Sequence, residues 1–365
     1  MLIDAHIHYD YSGDAFKLLK ALKITNADAC CLQSLIDTKK INQNFDSLYA
    51  KDILNKKTKK NTIYVNCALN SYLYHHHEKM DEVPKYIEKM IACGADGVKL
   101  IEGKPTSRKR HNIPNFDDPL FDPTFAYLEK EGISVTWHVN DPEEFWDEEK
   151  VPFWAKRSGW FYGDGTYVNN IDQYNQIFNL LKKHPKLKIC FAHFFFLSND
   201  LDKLSELFGT YPNISIDITP GVELFENMSK NIENAKAFFN KYYDRIIYGT
   251  DITVDKYEKN QLNEEDALQR KQLCHDFLSK DKVLIKGNEE GLLGKDDIYL
   301  NCLGLDKDKV DAIEYKNFLR LYPNNRKINS KLILEEIQKQ RLELKELNLE
   351  NKELDKIEAY FKNNI

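Results

Sequence analysis

Short apolar runs alternate with amphipathic stretches along most of this chain, and each change of hydrophobic period marks a change of element. The apolar runs predict strands over residues 2–9, 29–35, 62–69, 97–101, 133–139, 187–196, 214–219 and 245–250. Between and after them, helical spacing covers 14–22, 83–93, 124–131, 171–183, 201–208, 262–279 and 309–321. Gly94 and Gly132 stand just past two of these helices, where a C-cap glycine belongs. Eight strands interleaved with helices over roughly 250 residues predict an α/β fold, a (β/α)8 TIM barrel. An open doubly wound sheet is the competing architecture.

Two stretches break the rhythm. Residues 141–170 form a long connection after the fifth strand, carrying Phe145, Trp146, Phe153, Trp154, Trp160, Phe161, Tyr162 and Tyr167. So many aromatics must pack over something. A loop leaving the C-terminal end of a barrel strand has the mouth as its natural target, so this segment is expected to be a lid or pocket wall. Beyond residue 325 the chain becomes highly charged and nearly free of Gly and Pro, with a broken seam of Ile337, Leu344, Leu347, Leu354 and Phe361. Residues 1–325 are thus expected to be the barrel and 326–365 a helical extension. That extension is either an arm for self-association into a homo-oligomer or a helix strapped along the barrel.

Composition narrows the class. The 365 residues are 42% hydrophobic and 30% charged with a net charge of −6, which is ordinary for a soluble globular protein. Positive charge is scattered, so nucleic acid is not an expected partner. No apolar run reaches the ~20 residues of a membrane helix, and no signal peptide is visible. The seven cysteines form no C-x-x-C pair and mostly lie in apolar runs, as expected of reduced buried thiols in a cytoplasmic protein.

The chemistry gathers at strand ends. His6 and His8 are two apart in the first strand and so share a face. His138 lies near the end of the fifth strand, His193 in the sixth and Asp251 just past the eighth. A barrel brings all C-terminal strand ends to one mouth, where imidazoles and a carboxylate suit Zn²⁺, with Mn²⁺ as the less selective choice. Asp4 shares the parity of His6 and His8 and is a candidate to orient a ligand. Asn140, Asp141 and Glu223 also follow strands on the mouth side, as does the basic run Lys104, Arg108, Lys109, Arg110 and His111. That run hints at an anionic part of the substrate, and the aromatic loop at a flat one.

The segments Asp4-Ala5-His6-Ile7-His8, Gly97-Val98-Lys99-Leu100, Thr136-Trp137-His138, Phe191-Ala192-His193 and Gly249-Thr250-Asp251, taken in order, resemble the amidohydrolase superfamily. Within it they are similar to the amidohydrolase-related branch of aminocarboxymuconate-semialdehyde decarboxylase, with its decarboxylases, hydratases and lactonases. The resemblance implies one divalent metal ion held by His6, His8, His138 and Asp251, with His193 beside it as catalytic base or polarising group and Asp251 as a second proton relay. In binuclear relatives a lysine at the place of Lys99 is carboxylated and bridges two metals. Here Lys99 is expected instead to meet the substrate or an ion pair. Lys99, Trp154, Trp160, Tyr162 and Glu223 are the candidate substrate contacts. The expected activity is metal-dependent hydrolysis of an amide, ester or lactone in a small, anionic substrate. The alternative is metal-dependent, non-oxidative decarboxylation of an aromatic or unsaturated acid. A barrel retired from catalysis would be expected to have lost ligands, and all five site residues are present.

Overall fold

The computed structural model describes residues 1–10, 14–60, 62–221, 223–254, 264–287 and 296–364. The strands of the main sheet are β1 (Ile3–Tyr9), β2 (Ala29–Gln33), β3 (Ile63–Ala68), β4 (Gly97–Gly103), β5 (Ser134–Val139), β6 (Lys188–Phe191), β7 (Ile214–Asp217), β8 (Ile246–Ile247) and β9 (Ile252–Val254). They form one sheet in the order β8-β7-β6-β5-β4-β3-β2-β1-β9, every pairing parallel. The two ends of that sheet, β8 and β9, are halves of one stave, separated only by residues 248–251. Ala5 donates its N–H to Tyr248 O at 3.0 Å, and Asp251 donates to His6 O at 2.9 Å. These bonds join the two ends and close the barrel, as the strand-end chemistry required.

Packing explains why the strands read as continuous apolar runs. A parallel sheet is covered on its outer face by the crossover helices, so both faces are dry. β2, β3 and β5 are buried at every position. The covering helices are α1 (Phe16–Thr25), α2 (Asn44–Thr58), α3 (Val83–Cys93), α4 (Asp122–Glu131), α5 (Asn170–Lys183), α6 (Leu201–Thr210), α7 (Ile232–Tyr242) and α8 (Glu264–Ser279). Residues 262 and 263 of the helix expected over 262–279 lie outside the described residues. The expected helix over 309–321 is three pieces, Lys307–Asp311, a π-helical turn Ala312–Lys316, and Asn317–Leu321. Behind it Tyr322 plugs the barrel floor, its OH accepting from Asn66 Nδ2 at 2.7 Å.

The charged tail is a strap. α9 (Ser330–Glu346) and α10 (Glu353–Lys362) lie along the outside of the barrel and bury Ile333, Ile337, Leu344, Leu354, Ile357 and Phe361. Gln340 donates to Lys40 O at 2.9 Å, Asn70 to Glu343 at 2.9 Å, and Tyr360 OH to Asp52 at 2.9 Å. The apolar seam in the tail therefore faces this chain's own helices. Among the described residues no helix is long and apolar enough to cross a membrane.

The sixth strand is shorter than its apolar run. It ends at Phe191, and His193–Phe196 form a turn in which all four residues have φ between 51° and 57°. Left-handed backbone costs a non-glycine residue about 1–2 kcal/mol, so four in succession need strong support. Aromatic packing supplies it. Phe195 stacks on Phe191 at 4.0 Å and Phe194 on Phe239 at 5.7 Å, while Tyr174 OH donates to Phe195 O at 3.0 Å.

Candidate metal centre and active site

The site is assembled from the ends of β1, β5, β6 and β7 and from the break between β8 and β9. His6 is fully buried, and its Nδ1–H donates to Asp217 Oδ2 at 2.9 Å. That bond leaves the lone pair on Nε2, which faces Asp251 Oδ1 at 3.7 Å. His8 Nδ1–H donates to Gln33 O at 2.8 Å, which leaves its Nε2 3.2 Å from the same Asp251 oxygen. A carbonyl oxygen can only accept, so the hydrogen on His8 Nδ1 is committed. The Nε2 lone pair and the carboxylate then stand acceptor to acceptor, an arrangement that requires a cation or an extra proton between them. Donor atoms of His6, His8 and Asp251 all lie within 4.8 Å of one another.

Small residues and strained backbone make this approach possible. A Cβ on Gly249 would lie 2.9 Å from His6 Cβ and 2.8 Å from Thr219 Oγ1, so only glycine lets the eighth stave close on His6. Asp4 holds the same stretch by accepting from Thr250 Oγ1 at 2.5 Å, Thr250 N at 3.1 Å and His6 N at 3.1 Å. Asp4 thus acts on the backbone that aims Asp251, and burial pushes its own carboxyl up to about 7. Asp251 (φ 58°), Asn140 (φ 70°) and His193 (φ 55°) are all left-handed, and all three stand at the mouth. Strain of this kind concentrates where function fixes side-chain direction.

Electrostatics follow from burial and partners. Burial, helped by the nearby Lys99 ammonium, lowers His6 to about 4. Burial and then His138 push His193 well below its ordinary value, so its imidazole is neutral. His193 Nδ1 is buried with no hydrogen-bond partner among the described residues. Burial would raise Asp217, but His6 outweighs it and holds the carboxyl at about 2. Burial would raise Asp251 too, but a hydrogen bond from His8 outweighs it and holds the carboxyl well below its ordinary value, so the gap between His8 Nε2 and this carboxylate is filled either by a proton or by a cation. The arrangement is a group of three donors that could hold a metal ion, with a neutral imidazole beside it whose Nδ1 has no partner among the described residues.

The amidohydrolase family model matches residues 78–323, about two thirds of the chain. The chain belongs to the amidohydrolase family. No curated protein matches it significantly. Among solved structures, an amidohydrolase II is similar at 14% identity and a TM-score of 0.52, over 89% of this chain and 100% of that one. A putative amidohydrolase from Staphylococcus aureus shares 16% identity at a TM-score of 0.51, over 88% of this chain and 99% of that one. An uncharacterised TIM-barrel protein from Bordetella bronchiseptica shares 12% at 0.52, over 88% and 97%. At such identities these likenesses establish the barrel.

In this amidohydrolase the expected fourth ligand, His138, stands outside the three-residue donor group. Its Nε2 is bonded to Asp141 Oδ1 at 3.1 Å. Asp141 is itself fixed by Lys104 Nζ at 2.8 Å and by Tyr162 OH at 2.6 Å, and Lys104 keeps it ionised against burial. The His138 ring faces His193 at 4.8 Å, so both imidazoles belong to one cluster. Two expected substrate contacts are likewise displaced. Lys99 is buried beneath His6, its Nζ 3.0 Å from His6 Nε2, and does not line the cavity. Burial lowers it to about 8. Tyr162 lies behind the cavity wall, where it positions Asp141.

The other expectations meet at the mouth. A cavity of about 410 Å³ is lined by His8, His138, His193 and Asp251 at its base and by Phe145, Trp154, Trp160 and Glu223 above. The long loop is therefore a pocket wall, held by its own cluster of Phe145, Val151, Ala155 and Tyr162. Of the basic run, Lys104 lines this cavity, while Arg108 is buried elsewhere against Gln173 and Gln176. Sequence reasoning missed Asp217 and Arg270. Asp217 was findable as the final residue of an alternating strand, directly at the mouth. Arg270 reaches the cavity from α8 and carried no local signal.

Proposed function

We propose that this amidohydrolase is a metal-dependent hydrolase that adds water to the carbonyl of an amide, ester or lactone in a small organic substrate. The observation that carries this reading is the acceptor-to-acceptor meeting of His8 Nε2 and Asp251, with His6 Nε2 at hand, at the floor of the 410 Å³ cavity. His6, His8 and Asp251 would hold the ion, and their chemistry suits Zn²⁺ or Mn²⁺. A divalent cation there lowers the pKa of water toward neutrality and polarises a carbonyl oxygen. His193, neutral and with Nδ1 unclaimed, accepts the proton of the attacking water and returns it to the leaving group. Asp217 holds His6 in the tautomer that puts the lone pair on Nε2, where Lys99 Nζ stands at 3.0 Å and would have to yield to an ion, and Gln33 fixes the tautomer of His8. The aromatic wall excludes water above the reacting carbonyl.

The test is a panel of aryl esters, lactones and anilides, with the protein loaded with Zn²⁺ or Mn²⁺ and assayed in heavy-oxygen water. The expected result is one solvent oxygen in the product carboxylate, at a rate abolished by chelator and restored by metal. Carbon dioxide released from aromatic acids, with no hydrolysis of any ester, lactone or anilide, would replace this reading with a carboxy-lyase.

A further inference from the structure

Among the described residues, every charged group lining the cavity but one has a side-chain partner of opposite charge or an imidazole beside it. Lys104 is bonded to both oxygens of Asp141, at 2.9 and 2.8 Å, and lies 4.5 Å over the Trp160 ring. Arg270 gives its Nε to Asp266 at 2.7 Å and a further N–H to Thr250 O at 3.3 Å. Asp251 faces the histidines. Glu223 is the exception: both carboxylate oxygens are buried, no side chain among the described residues bonds to either, and only its own backbone N–H lies near enough to favour the charge. A buried carboxylate left in that state is costly, and the cost is recovered only when a donor or cation arrives.

Its surroundings say what should arrive. Glu223, Phe145, Trp154 and Pro142 are shared between the main cavity and an adjoining one of about 250 Å³. That outer cavity is also lined by Glu144 and Glu226, with Lys230 turned to Glu226 at 3.5 Å. Phe145 and Trp154 meet edge to face at 5.8 Å, and so do Trp154 and Trp160, giving ring faces in more than one orientation around the junction. Burial pushes Glu223 up to about 7, and Glu144, Asp141 and Glu226 add to the rise. Aromatic faces beside an uncompensated carboxylate, reached past further acids, form a field that repels anions and stabilises a cation.

We propose that the mouth of this barrel holds a subsite for a cationic group of the substrate, an ammonium or amidinium, with Glu223 as its counter-ion and Phe145 and Trp154 as its walls. This reverses the anionic substrate expected from the basic run, because Lys104 is already neutralised by Asp141. The proposal rests on the hydrolase reading only in calling the ligand a substrate. Its test needs no turnover.

The probe is benzyltrimethylammonium, which has no lone pair for a metal, with benzyl alcohol and benzenesulfonate as neutral and anionic comparators. Binding to the full metal-loaded chain is measured by calorimetry at mildly alkaline pH. Removing a partly desolvated counter-ion changes the affinity of a cation about tenfold, so the probe should bind the wild type about tenfold more tightly than it binds Glu223→Gln. Benzyl alcohol should bind both equally, and benzenesulfonate should bind the wild type most weakly. Trp154→Ala, a change at a partly exposed position, should weaken the cation about fivefold and leave metal content unchanged. Equal affinity of the cation for wild type and Glu223→Gln, or preference of the wild type for the sulfonate, overturns the proposal. A chain that binds the cation as stated but hydrolyses nothing keeps the subsite and loses the proposed reaction.

Discussion

His193→Ala lowers kcat/KM by about 10²–10⁴-fold, the usual worth of a positioned general base, while metal content stays at the wild-type level. Two features of the structure set this expectation. The left-handed turn His193–Phe196 is strained at four consecutive residues, and its aromatic supports serve to aim one imidazole at the cavity. That imidazole is buried, neutral and unpartnered at Nδ1. Added imidazole should restore part of the activity of the alanine variant, as it can occupy the vacated space and carry the proton. A loss smaller than about fivefold, with no rescue, would mean that His193 only fills the barrel mouth, and the proton would have to pass through another group.

Lys51→Met destabilises the fold by about 3 kcal/mol without touching the active site, the scale expected when one partner of a buried ion pair is removed. Lys51 is 1% exposed, and its Nζ donates to Asp96 Oδ2 at 2.7 Å and Gly94 O at 2.9 Å. Asp96 also accepts from Val65 N at 2.8 Å and Arg326 N at 2.7 Å. One carboxylate therefore joins α2, β3, the end of α3 and the segment leading to the C-terminal strap. Methionine fills the lysine's volume but leaves Asp96 with backbone donors alone. Urea unfolding should show the loss as a lower midpoint at unchanged slope, and Lys51→Met/Asp96→Asn should recover part of it. A midpoint equal to that of the wild type would show that the two N–H bonds already satisfy Asp96.

What could be read from the chain was whatever depends on local order. His6 and His8 share a face because strand parity is two, and Asp251 follows its strand directly. The barrel itself follows from alternating apolar runs. Interactions between segments were another matter. His138 was visible as a strand-end imidazole, but not that its Nε2 meets Asp141, which Lys104 and Tyr162 fix from two other places in the chain. Lys99 has the parity of a mouth residue, yet its depth in β4 puts it under His6. The run Phe191–Phe196 is apolar except for His193, so periodicity could not separate a strand from the left-handed turn that presents this histidine. The tail's seam was visible, but its partner, the face of α2 and α3, is remote in sequence.

The measurement that bears most directly on this account is elemental analysis of protein stripped of metal, reloaded with Zn²⁺ or Mn²⁺ and dialysed, for wild type, His6→Ala and Asp251→Asn. The account predicts about one ion per wild-type chain and a clear loss in both variants, as expected when a ligand is removed from a three-residue set. Two ions per chain would make Lys99 a bridging group. No retained ion in the reloaded wild type would contradict the metal centre, and with it the hydrolase mechanism built upon it.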